Sequence, residues 1–547
     1  MHHLTPQDAA TDYTQLPGYK NRWWGLFFIC VSLLVIAIDN TILNVALPSI
    51  SRDLEASASD LQWIIDAYAL VFAALLLTMG TLGDRFGRKP ALQIGLAWFA
   101  VGSLAAALSS STEMLIGSRA FLGAGAAIIM PATLSLITST FPPHERSQAI
   151  AMWAAVFGLG VGIGPVAGGW LIERYEWNAV FFVNLPVIVF ALIGGQMLLT
   201  NSKDEAAPQI DIPGVLLSIP GLFALVYGII KAGETSWTDG TVIASFAVSA
   251  ILLGIFAIWE SRSKNAMLPL ELFRNMSFTG ANTAVALVMF SMFGSVFFLS
   301  QYFQSVHGYS PFDAGLRVVP MAFVLTIAAA LSAQVAKRIG TKYTVALGIF
   351  IAGMGMLFMS QMYDVETPYS TILLGMAILG AGMGTAMSPA TDSIMGSVPP
   401  SKAGVGSAMN DTTRELGGAM GVAVLGTVMN TAYLNGVDGL GAQFQLPSTA
   451  VEAIESSIQG AHAVAEGFAA SGAPGAAQVS QAIIDAANQA FVSGMSEAMF
   501  VASLVMVGAS ILVLFILPNR VRSYDEMSVE AEQPEGIRAK PVPAIGD

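Results

Sequence analysis

The sequence predicts an all-α integral membrane protein with fourteen transmembrane helices, arranged as two six-helix bundles with two extra helices between them. Three observations carry this expectation. The composition is that of a lipid-embedded chain, the apolar runs recur at membrane-spanning length with cations sorted to one side, and the chain contains a weak copy of itself.

Of 547 residues, 54% are hydrophobic and 11% charged, with a mean hydropathy of +0.65. Soluble domains carry about 25% charged residues, so the excess of apolar surface needs lipid to cover it. The net charge of -13 leaves no basic face to neutralise phosphates, which excludes nucleic acid as a partner. A single cysteine, Cys30, excludes an intrachain disulfide framework and a cysteine-built metal site; no metal is expected. No Gly-Lys dipeptide occurs, so the phosphate-binding loop of an ATP-driven pump is absent. No cofactor is expected, and any work must draw on an ion gradient, a substrate gradient or another subunit.

Helices of about 20 apolar residues cross the hydrocarbon core. Such runs fall near 23–48, 60–82, 90–109, 113–138, 147–172, 178–199, 212–233, 241–260, 277–304, 313–336, 343–362, 369–396, 403–430 and 495–518, numbered here as spans 1 to 14. Residues 1–20 are polar, and the first run is too long for a signal-peptide core, so it reads as a retained span. With both termini cytoplasmic, the inner loops and tails collect the cations, from Lys20 and Arg22 through Arg85, Arg88 and Lys89 to Arg520, Arg522, Arg538 and Lys540. The outer side keeps Arg52, Arg174 and Lys231. Cytoplasmic loops are enriched in Lys and Arg, and a missed span would invert every later loop and destroy that pattern. Fourteen spans are therefore expected.

The repeat pairs TMGTLGDRFGRKPALQIG (78–95) with LSAQVAKRIGTKYTVALG (331–348), so that Arg85, Gly87, Lys89 and Gly95 meet Arg338, Gly340, Lys342 and Gly348. At nearly the same offset, LGAGAAIIMPAT (122–133) pairs with LGAGMGTAMSPAT (379–391). Spans 1–6 thus correspond to spans 9–14, and parallel repeats of this kind build two-halved transporters that bind substrate between the halves. The domain plan follows: an N-terminal tail (1–22), a first bundle (23–200), a two-helix insert with its linkers (201–270), and spans 9–13 of the second bundle (271–430). An outer connection (431–494), span 14 (495–518) and an acidic cytoplasmic tail (519–547) complete it. Segments 450–468 and 477–491 flank SGAPG with helical periodicity, which predicts an amphipathic hairpin in the outer connection. The tail beyond Arg522 has the composition of a disordered segment.

Between spans 2 and 3 stands Gly80-Thr-Leu-Gly83-Asp84-Arg85-Phe-Gly87-Arg88-Lys89-Pro90, a tight charged turn. It resembles the G-x-L-[GA]-D-R-x-G-R-[KR] loop of the major facilitator superfamily of transporters, and its position between two spans is as constrained as its letters. Fourteen spans and Ile38-Asp39-Asn-Thr41-Ile-Leu-Asn44-Val-Ala-Leu-Pro48 resemble the drug:proton antiporters of that superfamily, with Asn40 and Leu43 replacing more usual residues. Trp63-Ile-Ile-Asp66-Ala-Tyr68-Ala-Leu70 in span 2 and Arg119-Ala-Phe-Leu-Gly123-Ala-Gly125 in span 4 resemble two further elements of the same group. Span 5 carries Gly160, Gly164, Pro165, Gly168 and Gly169, similar to the G-x-x-x-G-P-x-x-G-G motif associated with export. The resemblance implies the major facilitator fold and a gating role for Gly80, Gly83, Asp84, Arg85, Gly87, Arg88 and Lys89. It also implies a role for Arg119 in proton transfer.

The residues themselves support part of this. Asp39 lies about 16 residues into a helix rising ~1.5 Å per residue, inside the membrane's outer half. An intramembrane carboxylate is costly and marks a functional site, here proton binding, although a packing aspartate satisfied by neighbouring Thr or Asn has the same sequence. Asp66 and Arg119 enter their spans from the same side, so Asp39, Asp66 and Arg119 form the candidate coupling group; Asp66 also fits a hydrated interfacial position, and the arginine a structural ion pair. In span 13, Asp411 and Glu415 share a helix face with Arg414 beside them, and Asp392 lies nearer the same end in span 12. One arginine cannot neutralise all three carboxylates. The surplus suits a cationic substrate or a second proton site, while helix-end solvation accounts for Asp392. Asp313 and Arg317 read as a structural pair near the outer surface.

The function expected is proton-coupled export of lipophilic, cationic compounds by alternating access, from a monomer in a bacterial plasma membrane. Small-molecule substrates, protons and the lipid bilayer are the expected partners. A dedicated exporter of one antibiotic or metabolite needs the same machinery. A membrane receptor or scaffold has no reason to carry so many buried charges, and the five histidines show no ligand or nucleophile pairing, so enzymatic activity is not expected.

Overall fold

The computed structural model describes residues 18–56, 58–204, 209–263, 265–471 and 475–519. Most of both tails, with the acidic segment beyond Arg522, and the centre of SGAPG lie outside them. Among the described residues every regular element is helical. Fourteen helices are long and apolar enough to cross a membrane, and the chain is a multi-pass membrane protein. The first bundle contains Arg22–Asp53, Ala58–Phe86, Arg88–Ala107, Thr112–Thr140, Pro143–Ile172 and Asn184–Leu198, the last preceded by a short turn, Ala179–Phe182. Ile212–Glu234 and Gly240–Glu260 are spans 7 and 8. The second bundle contains Met276–Gln301, Pro311–Ile339, Thr341–Met362, Tyr369–Gly396, Ala403–Val437 and Ala476–Ile516.

Local chemistry sets many boundaries. Asp211, Asp239, Asn275 and Ser310 each begin a span by accepting a hydrogen bond from a first-turn N–H, which satisfies a donor the helix cannot. Spans 2 and 3 are separated by Gly87 at φ 117°, and spans 10 and 11 by Gly340 at φ 92°. These are the paired glycines of the sequence repeat, and at both the chain takes a conformation that a Cβ disfavours. The second repeated element behaves the same way. A Cβ on Gly123 would lie 2.5 Å from Tyr68 O in span 2, and one on Gly380 would lie 2.8 Å from Met321 O in span 10. Two residues on, Gly125 abuts Phe99 in span 3 and Gly382 abuts Ala352 in span 11. Helix backbones approach closely where side chains are absent, so the repeat is written in backbone contacts.

Each bundle has its own apolar core, one built around Ile36, Leu76, Phe99 and Trp153, the other around Phe278, Met356, Met383 and Phe491. The halves meet through span 5 against span 10 and span 2 against span 13. Spans 7 and 8 pack on each other, and span 7 also lies on spans 2 and 13. Span 8 keeps most of its apolar surface outward, as a lipid-facing helix does.

The outer connection has the two packed arms expected on either side of SGAPG, joined by His462 Nε2 and Asn488 Oδ1 at 2.9 Å, but their bounds differ from the expected ones. Residues 450–468 are broken at Ser457, whose extended backbone ends Ser448–Ser456 and whose hydroxyl caps Ile458–Ala470. Residues 477–491, the second arm, are the first turns of the last helix, which runs unbroken over Ala476–Ile516. No proline interrupts that stretch. Gly494, where a boundary was expected, lets the backbone approach Met429 in span 13, a Cβ there falling 2.5 Å from Met429 O.

Candidate coupling and transport site

Asp39 and Arg119 meet in the first bundle. Arg119 Nη1 donates to Asp39 Oδ2 at 2.6 Å and Arg119 Nε to Ile64 O at 3.1 Å, with the guanidinium 4.4 Å from the centre of the Tyr68 ring. The other carboxylate oxygen accepts from Asn184 Nδ2 at 2.9 Å, and Asn184 also reaches Ser103 Oγ at 3.2 Å. All four polar side chains are buried. A pair so enclosed persists because each charge satisfies the other, and removing either strands its partner. The sequence offered Asp39 and Arg119; it did not offer Asn184, one of three side-chain amides in the apolar run of span 6 with Asn178 and Gln196.

Asp66 does not join them. It faces span 7 in a cavity of about 300 Å3 that it lines with Trp63, Tyr227, Lys231 and Glu234. Lys231 Nζ is 2.9 Å from Glu234 Oε2, and Trp63 stacks on Tyr227 with ring centres 6.3 Å apart. The similar depth expected for Asp39, Asp66 and Arg119 did not specify the helix face, and Asp66 points to the seam with the insert.

In span 13, Asp411 and Arg414 are buried and Glu415 is half-buried. Asp411 Oδ1 accepts from Asn410 Nδ2 at 3.0 Å, while Oδ2 has no hydrogen-bond partner among the described residues. The Arg414 guanidinium lies 5.3 Å from the centre of the Trp153 ring in span 5, and Trp153 Nε1 donates to Thr133 Oγ1 at 3.1 Å. Tyr68 lies within electrostatic reach of Asp39, Arg119 and Glu415 together. Each arginine thus lies against an aromatic ring of the first bundle, Arg119 against Tyr68 and Arg414 against Trp153. Nothing in the sequence singled out Trp153, an aromatic residue in an apolar run. Asp392 is half-buried near the end of span 12 and accepts from Ser147 Oγ at 2.5 Å across the bundle interface. Asp313 and Arg317 pair at 3.3 Å, and Arg317 lies 3.7 Å from the centre of the Tyr309 ring.

The charged turn joins the halves at one end. Asp84 accepts from Arg88 Nε at 2.8 Å and from the N–H groups of Gly404 (2.9 Å) and Val405 (3.2 Å), the open N-terminus of span 13, where a carboxylate is favoured. Arg88 Nη2 donates to Pro400 O at 2.6 Å and Ser401 O at 3.1 Å, and Lys89 Nζ to Gln196 O at 2.8 Å. Gly80 permits the approach, since a Cβ there would lie 2.5 Å from Gly404 O. Gly83 makes only an ordinary contact with Ala91, and Arg85 lies beside Phe86.

The span 5 glycines face two ways. Gly160, Gly164 and Gly168 abut Ala37, Thr41 and Ile42 of span 1, while Gly169 abuts Phe312 and Pro165 abuts Gly315 of span 10. One helix therefore packs closely against its own bundle on one side and against the opposite bundle on the other.

The sequence profile of the Major Facilitator Superfamily matches residues 29–422. The chain is 36% identical over 492 residues to the multidrug efflux pump LfrA of Mycolicibacterium smegmatis, covering 90% of this chain and 95% of that protein. It is 32% identical over 515 residues to the tetracenomycin C resistance and export protein of Streptomyces glaucescens, covering 94% and 95%. Among solved structures, the proton:xylose symporter XylE superposes with a TM-score of 0.61 at 13% identity over 94% of this chain and all of that one, a likeness of fold alone. Two repeated six-helix bundles, the bolted charged turn and these matches together make this chain a member of the major facilitator superfamily.

Proposed function

We propose that this protein is a proton-coupled multidrug efflux antiporter of a bacterial cell membrane, with both termini cytoplasmic, that exports lipophilic cationic compounds by alternating access. The observation that carries the reading is the buried Asp39–Arg119 pair in the first bundle, set against an acidic group in the other bundle whose Arg414 lies on Trp153 of the first and whose Asp411 Oδ2 has no hydrogen-bond partner among the described residues. A proton on Asp39 would cancel its charge and leave Arg119 without its counter-ion. A cation entering between the bundles would be favoured by the carboxylates of Asp411 and Glu415, which Arg414 alone does not neutralise. Charge on one side then depends on charge on the other, as antiport requires. The charged turn closes the cytoplasmic end in this conformation, and breaking the Asp84 and Arg88 contacts opens it. The proton gradient supplies the energy, and no cofactor is required.

The relatives support export: one is named a multidrug efflux pump and another a resistance and export protein. That second name favours a narrower reading, one antibiotic rather than many. A growth and accumulation assay in a pump-deficient host separates them. Lower accumulation of several unrelated lipophilic cations supports multidrug export. Protection against a single compound supports the narrow reading, and no change in accumulation of any compound at normal membrane levels overturns both.

A further inference from the structure

The two extra helices carry a polar arrangement that the coupling site does not use. Asp211 caps the start of span 7, and Glu260 is the last residue of span 8, so both sit at the end of the molecule that carries the charged turn. They are 7% and 3% exposed. Asp211 Oδ1 accepts from Gly214 N at 3.0 Å and Trp259 Nε1 at 2.8 Å, and Glu260 Oε2 accepts from Leu268 N at 3.0 Å. Their remaining oxygens, Asp211 Oδ2 and Glu260 Oε1, are buried with no donor among the described residues. Both lie 2.8 Å from the point where a Cβ on Gly214 would sit, so they converge on the same gap.

Two buried carboxylate oxygens that face each other repel unless one carries a proton. The surroundings fit one proton rather than a metal ion. Three N–H donors hold the outer oxygens, enough to satisfy one residual negative charge, whereas a hard cation would need a shell of oxygens. Lys402, ahead of span 13, is the charged group that faces Glu260 from the neighbouring elements, and it too favours one net negative charge.

We infer that Asp211 and Glu260 share a single proton, and that this pair is a proton-operated latch on the seam between spans 2 and 13. Glu260 holds Leu268 by its backbone N–H, and Leu268 and Met267 pack with Leu77 of span 2 and Val405 and Ala408 of span 13. That patch adjoins the contact of Gly80 with Gly404. Loss of the shared proton to water at this end leaves two carboxylates in contact. The repulsion withdraws Glu260 from Leu268 and loosens the apolar wedge under the seam. Protonation of the pair stands independently of the antiport reading; its place in the transport cycle rests on that reading.

The test uses the purified full chain and its infrared spectrum as pH is raised. The wild type is expected to lose one protonated-carboxyl carbonyl band. That band should be missing from Asp211→Asn and from Glu260→Gln alike, because either amide supplies a fixed N–H in place of the shared proton, and it should persist in Asp39→Asn. Gly214→Ala drives a Cβ between the two oxygens and should also remove it. Absence of the band from the wild type, or its survival in both amide variants, overturns the shared proton. In everted vesicles, transport by Glu260→Gln should lose its dependence on the pH of the face bearing the charged turn. An unchanged pH profile in that variant overturns the latch, and because the spectrum needs no transport, that failure is distinguishable from failure of the antiport reading.

Discussion

Removing one member of the Asp39–Arg119 pair should cost more than removing both. The pair is held at 2.6 Å with both side chains buried, and each charge has the other as its counter-ion. Breaking a buried pair by removing one partner costs about 3–5 kcal/mol, because the survivor stays buried and uncompensated. Asp39→Asn strands Arg119, although Ile64 O still accepts one of its hydrogen bonds. Arg119→Gln strands Asp39, which keeps the Asn184 amide as its hydrogen-bond donor among the described residues. Independent effects would sum to about 6–10 kcal/mol in the double variant. The double variant instead leaves two neutral amides that can bond each other and Asn184, so it should lie within about 1–3 kcal/mol of wild type. Thermal unfolding of the three variants in one detergent, with drug accumulation measured alongside, reads both quantities. Stability should return in the double variant while transport stays abolished. A double variant as unstable as the sum of the singles would refute the pairing, and one that still transports would refute its role in coupling.

Three further expectations follow from single contacts. Gly80→Ala places a Cβ 2.5 Å from Gly404 O and must push span 13 away, so a Val405→Cys probe in a Cys30→Ala background should label faster than in the Gly80 parent; equal labelling would show that the seam yields elsewhere. Gly164→Ala collides with the Thr41 hydroxyl of span 1 and should lower stability by about 1–3 kcal/mol, with loss of transport, whereas Gly254→Ala, which meets nothing, should change neither. Burial, and then the nearby Arg317, hold His307 below its ordinary value of 6.5. The folded chain therefore binds this proton less readily than the unfolded one, and stability should be full above 6.5 and decline as pH falls below it. His307→Phe, which keeps the ring contacts to Tyr302 and Tyr309, should shallow that decline; an unaltered profile would show that other groups govern it.

How much was legible in the sequence differs by element. The spans were readable because hydrocarbon imposes length and composition, and the sorting of cations fixed their number. The repeat was readable because close backbone contacts demand glycine at matching places, as Gly87 and Gly340 or Gly123 and Gly380 show. Asp39 and Arg119 were visible as costly charges in apolar helices. What they touch was not, since helix rotation decides it: Asp66 turns to Glu234 and Lys231 of span 7, a partner no motif named. Asn184 and Trp153 carry weak or no signal alone. The start of the last helix was not legible because amphipathic and apolar periodicities join without a breaker at Gly494, and neither was the bond of Asp392 to Ser147, which lies in the other bundle.

The central claim is exchange of a proton for a drug through the Asp39–Arg119 pair. Everted membrane vesicles holding a respiration-generated pH gradient test it most directly, challenged in turn with lipophilic cations and neutral drugs. The account predicts proton release on addition of a transported cation and none in Asp39→Asn. Drug movement without proton release, or release that survives Asp39→Asn, would contradict it.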